Sequence, residues 1–162
     1  MAKKPTESRV VLIVLDKRLE FSLALLDNFF KNYYRPDDII VSMIVFDYHK
    51  IHGEHIFVGK DDDENEENWK SYFNVMRTKM LQLLDSCRLF FEERNVPSTK
   101  VNTVFKEVQE NLAFCVCESA LEINPHILFM GRKKNEKGKI AIDKNISYIY
   151  NHNKTPMIIV TL

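Results

Sequence analysis

Apolar residues along the chain fall into short continuous runs that alternate with stripes spaced by three or four. Val10 to Leu15 is unbroken, apolar and largely β-branched, and Asp16 ends it. A run apolar on both faces suits a strand covered on both sides, as in a parallel sheet. Leu19, Leu23, Leu26, Phe30 and Tyr33 follow at helical spacing. Arg35-Pro36 closes that helix, because proline cannot continue it. Ile39 to Phe46 is a second strand-like run, ended by Asp47. Trp69, Tyr72, Phe73, Met76, Met80, Leu83, Cys87 and Phe90 mark a long amphipathic helix, which Val96-Pro97 ends. Val101 to Val108 alternates with polar residues and predicts a less buried strand. Leu112, Val116, Ala120 and Ile123 form a third helical stripe, stopped by Asn124-Pro125. Ile127 to Met130 is a short fourth strand leading to Gly131. A polar loop and a weak helix around Asp143 to Asn151 precede a fifth strand, Met157 to Leu162.

Tyr48 to Asn68 breaks this pattern. It contains Gly53, Gly59 and the acidic block Asp61 to Glu67. Like charges at that density repel, so a solvated loop is expected there. Its acids run toward the start of the next helix, where the positive end of the macrodipole favours them. The order β-α-β-loop-α-β-α-β-α-β implies a parallel sheet with helices on both faces. We read one domain over residues 1–162, with an acidic insert at about 48–68. In such sheets ligands bind outside the carboxyl ends of the strands, where strand order reverses. Asp16, Asp47, the Gln109-Glu110 segment and Gly131 stand at those ends.

Composition narrows the function classes. With 162 residues, 45% hydrophobic and 28% charged, the chain is long enough to bury a core and is of ordinary globular make-up. Its 23 basic and 23 acidic residues cancel, so no whole-molecule charge draws it to nucleic acid or anionic membrane. No apolar run approaches the roughly 20 residues of a membrane helix. The three cysteines, without a signal-peptide core, read as reduced thiols of a cytoplasmic protein.

Five segments, in this order and spacing, resemble the universal stress protein family over nearly the whole chain except the insert. They are the strand end at Asp16, the strand end Ile44-Val45-Phe46-Asp47, and the step Glu122 to Gly131 through Asn124-Pro125. The helix Asn145-Ile146-Ser147-Tyr148-Ile149 and the ending Lys154-Thr155-Pro156-Met157-Ile158-Ile159-Val160 complete the set. The resemblance implies an open five-stranded parallel α/β sheet of order 3-2-1-4-5, of the adenine nucleotide α-hydrolase-like kind. It also implies a stress-response or regulatory role, with ATP or AMP, accompanied by Mg, as ligand. Adenine would lie beside Asp16 and Val45. Phosphates would lie after Met130, at Gly131 to Lys134, and at Lys144 and Asn145. The family commonly dimerises through its last strand, which implies a homodimer through Met157 to Leu162 in this chain.

The phosphate loop departs from the family pattern, Gly-x2-Gly-x9-Gly-Ser/Thr. Glycines there let backbone amides approach phosphate, and the following helix N-terminus adds its dipole. Gly131 matches the first glycine, but Lys134, Lys144 and Asn145 hold the other positions. A second alignment places Asp143 and Lys144 in the Gly-Ser pair, and Glu110 stands where a further glycine is expected. Against these losses, Arg132 to Lys139 holds five basic residues and one acid, and lysines neutralise phosphate as point charges. Two expectations therefore stand side by side. One is adenine-nucleotide binding through a degenerate loop. The other is a dimeric interaction module of the same fold that has lost nucleotide binding.

Other candidates are weaker. His49, His52 and His55 have a spacing that can bind zinc on a helix, but Gly53 speaks for exposed loop residues. Cys115 and Cys117, two apart on a helical segment, point in different directions, so at least one belongs to the core. Asp16 has an alternative role too, capping the next helix or pairing with Lys17 or Arg18. The basic loop lacks interleaved aromatics, so specific nucleic-acid binding is not expected. No residue stands out as a general base, and at most slow ATP hydrolysis is expected. An ATP-pyrophosphatase would carry a Ser-Gly-Gly-x-Asp-Ser-like loop where Asp16-Lys17-Arg18-Leu19 stands.

Overall fold

The computed structural model describes residues 7–47, 62–108, 111–140 and 143–162, with the backbone alone for 62–67. The first apolar run forms strand β1 (Val10–Val14), and the stripe behind it forms helix α1 (Leu19–Asn32). Strand β2 (Ile39–Asp47) and the long helix α2 (Asp62–Glu92) follow. Then come β3 (Val101–Val108), α3 (Leu112–Ile123), β4 (Ile127–Arg132), α4 (Lys144–His152) and β5 (Met157–Thr161). The strands make one sheet of order β3-β2-β1-β4-β5, with every neighbouring pair parallel. The expected architecture is therefore the observed one.

Pleating splits the strands between two cores, since successive side chains point to opposite faces. Val11, Ile13, Ile40, Ile44 and Phe129 meet α1 and α2 through Leu25, Phe29, Leu84, Cys87 and Phe91. Leu12, Val14, Val41, Met43, Leu128 and Met130 meet α3 and α4 through Ala113, Val116, Ala120 and Ile149. Burial on both faces is why β1 and β2 read as continuous apolar runs. The edge strand β3 has no buried residue, matching its polar alternation.

Two expectations are corrected. The acidic block is helical from Asp62 on, as the first turns of α2, rather than loop. Acidic residues are favoured in the first turns of a helix in general, because its start is the positive end of the macrodipole. Gly131 lies within β4, in register with Val160 of β5, rather than opening a loop after the strand. The Asp47 end of β2 leads into residues 48–61, which lie outside the described set, as do His49, His52 and His55. Gln109 and Glu110 lie outside it too.

A polar anchor closes the opposite end of the sheet. Asp38, fully buried, accepts from Arg9 Nε at 2.8 Å and from a terminal guanidinium nitrogen of Arg9 at 2.7 Å. It also accepts from the Arg35 amide at 2.9 Å, so its carboxylate is satisfied three ways.

Candidate functional site

The turn from β1 into α1 is pinned by Ser22. Its buried hydroxyl donates to the Asp16 carbonyl at 2.7 Å and accepts from the Asp16 amide at 3.0 Å. This clamp turns the Asp16 side chain outward at the carboxyl end of the sheet. One carboxylate oxygen accepts the Arg18 amide at 2.9 Å, which holds the chain at the entry to α1. The same oxygen lies 3.4 Å from Arg18 Nε, and the other accepts from Lys133 Nζ at 2.7 Å. Burial pushes the Asp16 carboxyl up, but the Lys133 hydrogen bond, the Arg18 amide and the two positive charges outweigh it. The net effect holds Asp16 below the ordinary carboxylate value.

Lys133 was read only as part of the basic segment, with no partner of its own. It reaches Asp16 from just beyond β4, with its ammonium 4.6 Å from the centroid of the Phe21 ring. Phe21 in turn covers Gly131. A Cβ at Gly131 would stand 2.9 Å from the ring's Cε1 and 3.2 Å from Leu162 Cδ1. The bare backbone at Gly131 is thus filled by the protein's own side chains.

Beside Asp16 opens a cleft of about 270 Å³, lined by Leu15, Asp16, Lys17, Val45, Phe46, Asp47, Tyr72, Met76, Met80, Leu112 and Asn145. It is at the small end of small-molecule sites, which run from roughly 300 to 1,000 Å³. Asp16, Val45 and Asn145, brought in by β1, β2 and α4, share this lining. Tyr72 and Met76 were read as part of the apolar stripe of an amphipathic helix. They do pack partly buried against the core, and they also form a wall of the cleft. Their helical spacing carries no mark that separates the two roles.

The remaining candidates lie elsewhere. Met130 is 7% exposed and packs into the core beneath α3 and α4. Lys134 and Lys144 are exposed and do not line the cleft. Lys134 bridges Ile140 in a small antiparallel hairpin. The Asn135 side chain holds that hairpin by accepting the Lys137 amide at 3.1 Å and the Lys139 amide at 2.8 Å. Gly138 supplies its left-handed turn, with φ +70. The basic segment is thus a structured loop with its own hydrogen bonds.

The start of α4 is also occupied. Asp143 is its N-cap, and one carboxylate oxygen accepts the Asn145 amide at 2.8 Å and the Ile146 amide at 3.1 Å. These are the helix-terminal donors that an anion would otherwise meet. Among the described residues, no group of three or more His, Cys, Asp or Glu is placed to hold a metal ion. Burial pushes the Cys87 thiol up to about 12 and raises Cys115 and Cys117 as well. Cys87 and Cys115 are buried, as expected of core thiols, and thiolate chemistry has no support at these positions. Among the described residues, no helix is long and apolar enough to cross a membrane.

A parallel sheet of this order with a cleft at its carboxyl end is an adenine nucleotide α-hydrolase-like architecture. No family model matches the sequence, and no curated protein matches it significantly. By structure, the chain is similar to a universal stress protein family member from Burkholderia pseudomallei, with TM-score 0.60 and 18% identity over 97% of this chain and 98% of that one. It is similar to a universal stress protein family protein from Arabidopsis thaliana with AMP bound, with TM-score 0.60 and 12% identity over 94% and 91%. It is also similar to a universal stress protein in complex with cAMP, with TM-score 0.61 and 11% identity over 96% and 98%. The chain has the universal stress protein fold over nearly its whole length.

Proposed function

We propose that this protein is a regulatory domain of the universal stress protein kind, acting in the cytoplasm, whose cleft binds an adenine nucleotide. The carrying observation is that β1, β2 and α4 deliver Asp16, Val45 and Asn145 to one small cleft at the carboxyl end of the sheet. Similarly folded proteins hold AMP or cAMP. Val45, Leu112 and Met76 offer apolar surface for a heteroaromatic ring, and Asp16 offers an acceptor for an exocyclic amine. Lys133 reaches Asp16 at the cleft's edge, and with Lys134 it gives the degenerate loop positive charge. Mg would be held by the nucleotide's own phosphates, since the described residues supply no carboxylate cluster for it. No catalytic step is assigned.

Signalling would run through association. One edge of β5 pairs with β4, and the other has no strand beside it among the described residues. Met157 to Thr161 are half-buried, so an isologous dimer through antiparallel β5 strands would cover an apolar edge. Calorimetric titration of dialysed protein with AMP, repeated on Val45→Trp, tests the site. Binding to the native protein, and its loss when the indole fills the cleft, is the expected result. The same affinity for both proteins would place the ligand elsewhere. Light scattering that finds a monomer at micromolar concentration would remove the dimer.

A second reading has its own support in Phe21 and Leu162, which fill the space over Gly131, and in Lys133, which occupies Asp16. On that reading the cleft is vestigial and the chain is a dimeric interaction module. Absence of heat with both AMP and adenosine from folded, dimeric protein would favour it.

A further inference from the structure

We infer that the cleft takes an unphosphorylated adenine nucleoside in preference to AMP or ATP, because Asp143 stands as a fixed anion on the first turn of α4, at the cleft's edge. The inference rests on the proposed adenine site and specifies its ligand. Asn145 lines the cleft, so the first turn of α4 is its polar end. Amides in the first turn of a helix, when free, are good anion donors. Asp143 accepts both the Asn145 and Ile146 amides through one oxygen, at 2.8 and 3.1 Å. A phosphate approaching this turn meets donors already engaged and a negative charge a few ångströms away. Two further sources of phosphate binding are committed as well. Lys133 is paired with Asp16 at 2.7 Å, and the backbone at Gly131 is covered by Phe21 and Leu162.

The cleft itself points the same way. Among the described residues its charged lining is Asp16, Asp47 and Lys17, so the lining itself offers a polyanion no surplus of positive charge. Its volume of about 270 Å³ suits a base with its sugar better than a triphosphate. A neutral nucleoside needs no anion site. Its amine and hydroxyl donors meet carboxylates, and its ring meets Val45, Leu112 and Met76.

The test is calorimetric titration with adenosine, AMP and ATP at one ionic strength, on native protein, Asp143→Asn and Asp143→Gly. Asparagine caps helices as well as aspartate, so Asp143→Asn keeps the turn and removes only the charge. Asp143→Gly removes the charge and releases the amides. Native protein is expected to bind adenosine tighter than ATP by about tenfold or more, the scale of one added repulsion between partly solvated charges. Both variants are expected to raise ATP and AMP affinity several-fold and to leave adenosine within about twofold. Circular dichroism melts establish that each variant is folded at the titration temperature. ATP binding as tight as adenosine in native protein, or a ranking that neither variant alters, would overturn the inference and leave the adenine site standing. Failure of all three compounds to bind any of the proteins would overturn the proposed function and this inference with it.

Discussion

Gly131→Ala separates a packing role for this glycine from a phosphate-binding one. The added methyl would meet Phe21 at 2.9 and 3.0 Å and Leu162 at 3.2 Å. Carbon atoms pack best at about 3.5–4.0 Å, so the ring must retreat by about half an ångström or more. Phe21 is also fixed from outside by Lys133 at 4.6 Å and Arg18 at 5.9 Å from its centroid. Overpacking of this kind costs about 1–3 kcal/mol. Replacing a strand glycine returns about 0.5–1 kcal/mol through the unfolded chain. The net loss is about 1 kcal/mol, and a chain of this size then melts about 2–4 °C lower. Thermal and urea denaturation by circular dichroism give the number. Phe21→Leu in the same background should relieve the clash, so the double-mutant cycle should show coupling of about 1 kcal/mol. An unchanged melting temperature with an additive cycle would refute the packing argument. Lost ligand affinity at unchanged stability would show that the glycine serves the ligand instead.

Other predictions rest on separate observations. Lys133→Met leaves burial of Asp16 less opposed, so its carboxyl should titrate at higher pH than in native protein, read by carbon-13 NMR; an unmoved titration would dissolve the pairing argument. Because the folded value is depressed, Asp16 contributes stability above the ordinary 3.8 and loses it as pH falls through the folded value, so the native protein's advantage over Lys133→Met should shrink toward pH 3. Asp38→Ala strands the Arg9 guanidinium, 17% exposed, and the Arg35 amide, and should cost about 3–5 kcal/mol in urea unfolding; under about 1 kcal/mol would mean that water replaces the carboxylate. Cys87, buried and pushed up to about 12, should resist a disulfide reagent at pH 8 until the protein unfolds, so rapid modification of all three thiols in native protein would contradict the packing of α2.

What the sequence made legible follows from local physics. β1 and β2 were readable because strands covered on both faces must be apolar throughout, whereas Asp16 and Val45 were placed together by the resemblance alone. The sheet order came from the resemblance, since periodicity alone does not order strands. What escaped depends on distant geometry. Lys133 and Asp16 are 117 residues apart, and their meeting depends on how β4 leads into a hairpin shaped by Asn135 and Gly138. The extent of α2 was misjudged because repulsion within the acidic block was weighed above attraction to the helix start. Asp143 carried a usable signal, an aspartate immediately before a helical stripe, which marks an N-cap. Aligning it with a family position drew attention to what it replaced, away from what it does.

The most direct measurement is a nitrogen-15 heteronuclear correlation spectrum of the native protein titrated with adenosine. The account expects saturable shifts at the amides of Asp16, Val45 and Asn145, with β5 and the Asp38 end of the sheet unmoved. Saturable shifts confined to another surface, or a spectrum unchanged at millimolar ligand, would contradict an adenine site in this cleft.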